Sequence, residues 1–372
     1  MIAPSSSATS PAPAESGPGL RVLIVSADMG AGHNAVASEL ARRLAGRGAT
    51  TETLDVVRAS GRAGERLVAT YRALLAHAGW VYDAAMRFWA RYPRPLERLT
   101  AANAAPFEDA IAAAVDRFRP DVVVSTYNLA GQCLGRLRRR GRIDVPVVTI
   151  VVDPGAHPYW VSPDVDLHVA VTAPAATRLE AYGAPRVAVA APVLRPEFDT
   201  PPEPDVARRR LGLPTDGLVA VLTAGSWAVG GIETTLDVIG HAPGVHPVVL
   251  CGGDAALRRR VAARPGVRAV GWTDAVADHL AAADVVVDNA GGQTCWEAIA
   301  CRTPVLLYRT LPGHGTINAA ALDEAGLATW VRGADHLLER MRCASRSPRP
   351  ARTPAELGST DAVDHVLSLV AV

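Results

Sequence analysis

The chain has 372 residues, of which 49% are hydrophobic and 20% are charged, a composition typical of a globular protein with about two domains. A formal net charge of +1 excludes a general electrostatic attraction to nucleic acid. The five cysteines form no CxxC pair, which excludes the usual zinc sites, and no run reaches the roughly 18 apolar residues that a membrane span needs.

The first 19 residues are rich in Ser, Pro, Ala and Gly and contain no apolar core. This composition predicts a disordered leader and not a signal peptide. Together with the scattered cysteines, it predicts a cytoplasmic protein whose only contact with a membrane is peripheral.

A first domain is predicted over residues 20–191. It opens with a β-branched run that shows no alternation, which is typical of a parallel strand buried on both faces, and a helical pattern and a second strand follow. Residues 60–118 predict a helical insertion. The predicted strands of this domain lie at 20–27, 51–57, 121–126, 145–153, 167–171 and 186–190.

A proline-rich linker at 192–204 precedes a second domain, predicted over 205–340, that repeats the same order of elements. A tail at 341–372 leaves open whether a helix crosses back to the first domain. The fold class is therefore α/β, with two Rossmann-like, doubly wound domains facing each other across a cleft. The strands of the second domain are predicted at 218–224, 245–251, 267–271, 283–288 and 303–308.

Two glycines and a histidine, Gly30, Gly32 and His33, follow the first strand. The glycines allow a tight turn, and the start of the next helix favours anionic groups. Three interpretations stay open: a dinucleotide site with Asp55 as its ribose acid, a histidine that only caps the turn, and a histidine that acts on a substrate.

A second glycine-rich turn follows the strand at 283–288 and leads into a helix. The backbone amides of Gly291, Gly292, Gln293 and Thr294 can hold a pyrophosphate at that helix start. Glu297, one turn further, can accept hydrogen bonds from both ribose hydroxyls. The alternative interpretation makes Glu297 a helix-dipole or capping carboxylate.

With these motifs, in this order, the chain resembles the superfamily of monogalactosyldiacylglycerol synthases and the lipid-II N-acetylglucosaminyltransferase over about residues 21–327. The resemblance implies the GT-B fold and a metal-independent, inverting transfer. It implies that His33 is the general base, in the loop of Gly30 and Gly32, and that Asp153 and His157 line the acceptor side.

On the donor side the resemblance implies contacts from one set of residues: Gly225, Ser226, Trp272, Thr273, Gly291, Gly292, Gln293, Thr294, Glu297, His314 and Asn318. One departure concerns the sugar, because the galactolipid synthases carry Gln-Glu where this chain has His314 and Gly315. We expect Gly315 to open space for a bulkier sugar substituent, so the donor sugar stays undetermined.

The resemblance implies a hexosyltransferase that uses a nucleotide sugar, a UDP-sugar, and a hydroxyl acceptor on a lipid, without a cofactor, in glycolipid biosynthesis. Asp164 and Asp166 form a DxD pattern that binds metal in other transferases, but the resembled fold uses none. A nucleotide-sugar 2-epimerase and a non-catalytic nucleotide-sugar-binding regulator remain alternatives.

Two segments leave the question of a membrane open. Aromatic residues among arginines in the insertion fit either a membrane interface or the core of a helical subdomain. The basic run at 136–142 fits either a solvated helix end or a contact with anionic lipid.

Overall fold

The structure, a computed structural model, describes residues 19–223, 231–240, 242–347, 349 and 360–370, without the side chains of 93–101. These residues contain two six-stranded sheets in which every recorded strand pairing is parallel. Helices connect the strands. The predicted α/β class with two Rossmann-like domains is confirmed.

The sheet of the first domain has the strand order β2-β1-β3-β4-β5-β6. Leu23 and Val25 of its central strand β1 enter one hydrophobic cluster, and Val22 and Ile24 enter another on the opposite face. Helices cover both faces, which is why the sequence of β1 shows no alternation. The strands are β1 (Arg21–Ser26), β2 (Thr50–Asp55), β3 (Val122–Ser125), β4 (Val147–Ile150), β5 (Leu167–Ala170) and β6 (Val187–Val189).

The second predicted strand ends two residues early, because Asp55 starts a helix. Its carboxylate accepts hydrogen bonds from the amides of Val57 and Arg58, both at 3.0 Å, and so caps helix α2. This use of Asp55 removes the ribose acid on which the dinucleotide interpretation depended. The helices of the domain are α1 (Ala31–Gly46), α2 (Val56–Ala59), α3 (Arg62–His77), α4 (Gly79–Arg91), α5 (Pro93–Phe118), α6 (Asn128–Arg139) and α7 (Ala173–Ala181).

The sheet of the second domain has the order β12-β11-β10-β7-β8-β9. Its strands are β7 (Leu218–Thr223), β8 (Val245–Leu250), β9 (Arg268–Val270), β10 (Val285–Asp288), β11 (Val305–Tyr308) and β12 (Thr329–Val331). Its helices are α8 (Pro204–Leu211), α9 (Ile232–Ile239), α10 (Ala255–Ala262), α11 (Val276–Ala282), α12 (Gln293–Ala300), α13 (His314–Glu324) and α14 (Ala334–Arg346).

A last described helix, α15 (Ala362–Leu367), packs on the first domain and not on the second. Its apolar side chains join the cluster that contains Val36 and Leu40 of α1. An ion pair between Arg43 and Asp361, 3.1 Å from nitrogen to oxygen, supports this contact. The chain therefore passes from the second domain back to the first.

Candidate functional site

His33 lies in the first turn of α1, at the carboxyl end of β1. Its Nδ1 is 2.8 Å from the carbonyl oxygen of Thr126, which follows β3. A carbonyl oxygen only accepts, so Nδ1 carries the proton and Nε2 of the neutral ring keeps a free lone pair. The rings of Tyr127 and Trp160 hold the imidazole in place, at centroid distances of 5.1 and 6.2 Å.

The turn before His33 requires glycine. Gly30 has a φ of +122°, a conformation that side chains rarely adopt. A Cβ on Gly32 would lie 3.2 Å from the Cβ of Gln293 in the second domain. The loop that carries His33 therefore lies directly against the start of α12, across the cleft.

The surroundings of His33 favour the neutral ring. Burial lowers the pKa of His33 below its ordinary value of 6.5, and the carboxylate of Asp153 opposes this shift. The ring is therefore unprotonated at neutral pH, while a negative charge stands close enough to stabilise the imidazolium once a proton arrives.

Asp153 follows β4 and is a buried carboxylate. Trp160 Nε1 donates a hydrogen bond to Oδ2 at 2.8 Å, and Asn318 Nδ2 donates one to Oδ1 at 3.0 Å. His157 Nε2 lies 3.6 Å from Oδ2. Burial by itself would raise the pKa of Asp153, but the hydrogen bond and charge of His157, with His314 and Asn318, hold it well below its ordinary value.

The turn after β10 presents backbone amides to the cleft. The carboxylate of Asp288 accepts the amides of Ala290 and Gly291, at 2.9 and 2.7 Å. The expectation that the Gly291 amide faces a pyrophosphate is therefore corrected. The next three amides, at the start of α12, have no acceptor among the described residues: Gly292, Gln293 and Thr294.

Glu297 lies one turn into α12 and is 6% exposed. Burial raises its pKa to about 7, although the guanidinium of Arg195, 3.9 Å from Oε1, opposes that shift. Helix α12 has no side-chain cap, so the capping interpretation of Glu297 is not supported. Arg195 gave no signal in the sequence beyond its place in the linker, and only the fold brings it here.

The helical insertion of the first domain contacts the second domain through His314. The hydroxyl of Tyr71 on α3 is 3.2 Å from His314 Nδ1, and the ring of Tyr82 on α4 lies 6.3 Å away. Asp83 accepts the amide of Gly313 at 3.0 Å. Burial lowers the pKa of His314, Asp153 raises it, and the nearby His157 and His33 lower it further.

Gly315 does not open space beside a sugar. A Cβ at this position would lie 2.9 Å from Leu311 Cβ and 3.2 Å from the carbonyl oxygen of Asn289. The position faces packed protein, so the expectation of room for a bulkier substituent is wrong. Among the described residues, it is His314 that lies in the cleft at this place. A side chain at position 315 could reach a ligand only if the loop moved.

Two of the remaining expected donor residues stand apart from this cluster. Trp272, 71% exposed, and Thr273 follow β9 at the far edge of the sheet. Gln293 uses its side-chain amide to bond the carbonyl oxygen of Val193 at 3.0 Å. Gly225 and Ser226 lie outside the described residues.

The DxD pattern and the basic run neutralise each other away from the cleft. Arg138 pairs with Asp166 at 2.7 Å, and Arg139 pairs with Asp164 at 2.6 Å. Glu108 accepts two further arginines of the run, Arg136 and Arg140. These ion pairs leave little charge to attract anionic lipid, and they occupy the carboxylates of the DxD pattern.

The described residues contain no cluster of three or more acidic, His or Cys side chains that could hold a metal ion. In the same residues, none of the helices has the length and apolarity to cross a membrane.

Comparisons with known proteins agree with this geometry. Residues 33–191 match the family model of monogalactosyldiacylglycerol (MGDG) synthase. A processive diacylglycerol beta-glucosyltransferase of Bacillus cereus (strain G9842) is 22% identical over 222 residues, 58% of this chain and 57% of that protein. The chain thus spans little more than half the length of this curated relative.

Solved structures are similar over nearly the whole chain. The spinosyn rhamnosyltransferase SpnG complexed with thymidine diphosphate has a TM-score of 0.65 at 15% identity, covering 94% of this chain and all 100% of that one. Alr3699/HepE of Anabaena in complex with UDP-glucose has a TM-score of 0.55 at 15% identity, covering 95% and 98%. These similarities show that the two-domain arrangement is the GT-B fold.

Proposed function

We propose that this chain, a member of the GT-B superfamily that contains the monogalactosyldiacylglycerol synthases, transfers a hexosyl group from a nucleotide sugar to a lipid hydroxyl. One observation carries the proposal. An oriented, unprotonated His33 on the first domain faces three open backbone amides at the start of α12 on the second. A base opposite an anion site is the arrangement that a single displacement at an anomeric carbon requires.

In this mechanism His33 Nε2 takes the proton of the acceptor hydroxyl while the hydroxyl oxygen attacks the anomeric carbon. The bond from that carbon to the phosphate oxygen breaks on the opposite side, so the configuration inverts. The proton rests on the imidazole, and the Asp153 carboxylate stabilises the resulting positive charge.

The leaving nucleoside diphosphate accumulates negative charge at the second domain. The amides of Gly292, Gln293 and Thr294 and the positive end of the α12 dipole stabilise it there. Glu297 accepts the ribose hydroxyls, one turn further along the helix. Trp272 and Thr273 lie three strands from β10, about 14 Å at the usual strand spacing, where the base of such a nucleotide would reach.

We assign the nucleotide as uridine diphosphate and the acceptor as diacylglycerol. The nucleotide follows the resembled enzymes and the ligand of the Anabaena structure, and the acceptor follows the Bacillus relative. The cytoplasm, where nucleotide sugars are made, is the proposed location.

Helix α4 gives the lipid acceptor a physical basis. Together with Tyr92, which follows it, the helix exposes an aromatic and aliphatic face: Trp80 is 76% exposed, Val81 40%, Phe88 50% and Tyr92 51%. Two arginines of the same helix are exposed as well; Arg87 pairs with Asp83, and the Arg91 guanidinium lies over the Tyr92 ring at 5.3 Å. Such a face suits the interface of an anionic bilayer. The other side of α4 contacts the donor domain through Asp83, so docking would place the cleft at the membrane surface.

The test is product analysis with vesicles that contain diacylglycerol and with labelled UDP-glucose, UDP-galactose or UDP-N-acetylglucosamine. We expect a labelled glycolipid whose anomeric configuration, determined by NMR, is opposite to that of the donor. An epimerised donor would indicate a 2-epimerase, and binding without any product would indicate a regulator. Retained configuration would exclude the single displacement.

A further inference from the structure

We propose that Asn318 is a positioning residue that links the docking of the two domains to the charge beside the catalytic base. It does so by holding the Asp153 carboxylate from the opposite domain. This inference rests on the proposed function, because it concerns the same reaction.

Both polar atoms of the Asn318 side-chain amide form hydrogen bonds across the cleft. Its Oδ1 accepts the backbone amide of Gly155 at 3.1 Å, and its Nδ2 donates to Asp153 Oδ1 at 3.0 Å. Nδ2 is also 3.4 Å from the carbonyl oxygen of Ala290, in the turn before α12. The side chain is fully buried. Asn318 was expected among the contacts to the donor, but the recorded hydrogen bonds of its amide all go to protein atoms.

Close backbone approach on both sides fixes this residue. A Cβ on Gly155 would lie 2.6 Å from Ile317 Cγ2 and 2.9 Å from the Asn318 nitrogen. A Cβ on Gly291 would lie 2.8 Å from Asn318 Cβ. The first part of α13 therefore packs closely against both the acceptor-side loop of one domain and the donor turn of the other.

The consequence concerns Asp153. The contacts of Asp153 Oδ2, with Trp160 and His157, come from within the first domain. The hydrogen bond to Oδ1 is donated by Asn318 from the second domain. If the domains separate, a carboxylate that is otherwise buried loses one of its donors, and Gly155 loses its acceptor. Unpaired buried groups are costly, so the docked arrangement and the charge beside His33 stabilise each other.

The variant Asn318→Asp tests this link because it keeps the size and shape of the side chain. As a carboxylate, the new group would face Asp153 at hydrogen-bonding distance, and two like charges there repel. As a neutral carboxyl group, it can donate to Asp153 Oδ1 and accept from Gly155. The variant therefore needs one extra proton to reproduce the native contacts.

Other groups face this pair and belong to its titration. Asp153 is electrostatically coupled to the three cleft histidines and to two tyrosines of the insertion, and Arg178 of α7 donates to the carbonyl oxygen of Gly155 at 3.3 Å. The groups are His33, His157, His314, Tyr71, Tyr82 and Arg178. All six groups are present in both the parent and the variant. The ratio of the variant's kcat to the parent's kcat therefore isolates the effect of the new carboxyl group.

The measurement is kcat of Asn318→Asp relative to the parent, from pH 5.5 to pH 8, with donor and diacylglycerol saturating. If repulsion places the new titration near pH 6, about 1% of molecules carry the proton at pH 8. We expect the ratio to be about 100-fold below unity at pH 8 and to return to within about fivefold at pH 5.5. Asn318→Ala should be slow at every pH, with the KM for the donor little changed.

The matched control is Glu324→Gln on the same helix. It removes another bridge between the domains, the ion pair with Arg178 at 2.8 Å, without touching Asp153. We expect its kcat within about twofold of the parent at all pH values, as is usual for an exposed pair.

Thermal unfolding provides a readout that needs no transfer. The melting temperature of Asn318→Asp should lie below that of the parent at pH 8 and approach it toward pH 5.5, while Glu324→Gln should show no such trend. A pH-independent difference in both rate and melting temperature would overturn the proposal. So would an Asn318→Ala variant that loses affinity for the nucleotide sugar but not for the free nucleotide. If the parent has no transfer activity but Asn318→Asp still shows the pH-dependent difference in melting temperature, the proposed function is refuted and the link through Asn318 is not.

Discussion

At the scale of single residues, two of the buried carboxylates beside the cleft stand in opposite surroundings. Asp153 receives hydrogen bonds from both domains, and its pKa is held low. Among the described residues, the recorded partner of Glu297 is a guanidinium 3.9 Å away, and burial raises its pKa to about 7. The carboxylate of Asp153 therefore carries a fixed negative charge. Glu297 gains its hydrogen-bond donors when a ribose binds, in the mechanism proposed above.

Glu297 therefore makes the unliganded protein sensitive to pH. Because its folded pKa is raised above 4.5, the contribution of Glu297 to stability is fully present below that pH and is lost as pH rises to about 7. The shift corresponds to about 3 kcal/mol at pH 8. Urea unfolding of the parent and of Glu297→Gln at pH 5 and pH 8 checks this. We expect the free energy of unfolding of Glu297→Gln to rise relative to that of the parent at pH 8. An equal difference between the two proteins at both pH values would contradict this prediction.

The positions of several candidate site residues could be predicted from the sequence because they follow from local patterns. The motif around His33 and the turn before α12 both stand at strand ends, where parallel sheets place ligands. The roles of Asp55, Gly291 and Gly315 could not be predicted, because each depends on which way an atom points. The contacts of Asn318 and Arg195 could not be predicted either, since they join residues more than a hundred positions apart.

At the scale of elements, the buried strands were well predicted because a short apolar run without alternation is typical of a parallel strand covered on both faces. The short edge strand β12 was not predicted, because three residues, one exposed, one half-buried and one buried, give little pattern. The sequence could not decide between a membrane face and a core for the insertion. In the structure, one side of α4 contacts Gly313 and the other side is exposed, so a membrane role for the exposed side stays a prediction.

Helix α4 should carry the affinity for membranes. We expect the double variant Trp80→Ala and Phe88→Ala to bind anionic vesicles at least about tenfold more weakly, since each buried aromatic contributes about 1.5–3 kcal/mol. Vesicle sedimentation measures this. Trp272→Ala is the matched control, because Trp272 is equally exposed but lies on the second domain. Equal losses in both variants would contradict a specific role for α4.

At the scale of the whole molecule, the proposed reaction depends on groups from both domains. The proposed base His33 and the Asp153 carboxylate belong to the first, and the proposed anion site at the start of α12 belongs to the second. The relative position of the domains could not be predicted from the sequence, because packing across the cleft, such as Gly32 against Gln293, leaves no local signature.

We expect transfer to survive an excess of EDTA. The amides at the start of α12 stabilise the leaving group in the proposed mechanism, and Asp164 and Asp166 are paired with arginines. The rate of glycolipid formation before and after chelation checks this, with a dialysed sample as control. Complete loss of the rate that manganese or magnesium restores would contradict it.

The proposed mechanism depends above all on His33 as the general base. Because burial lowers its pKa, the acid limb of kcat/KM for the parent should lie below pH 6.5. The deciding experiment measures kcat of His33→Ala with UDP-sugar and diacylglycerol vesicles, together with the Kd of the donor. We predict a fall in kcat of about 10²–10⁴-fold, the usual contribution of a positioned base, with donor affinity nearly unchanged. A folded His33→Ala variant that transfers sugar within a few-fold of the parent rate would contradict this role.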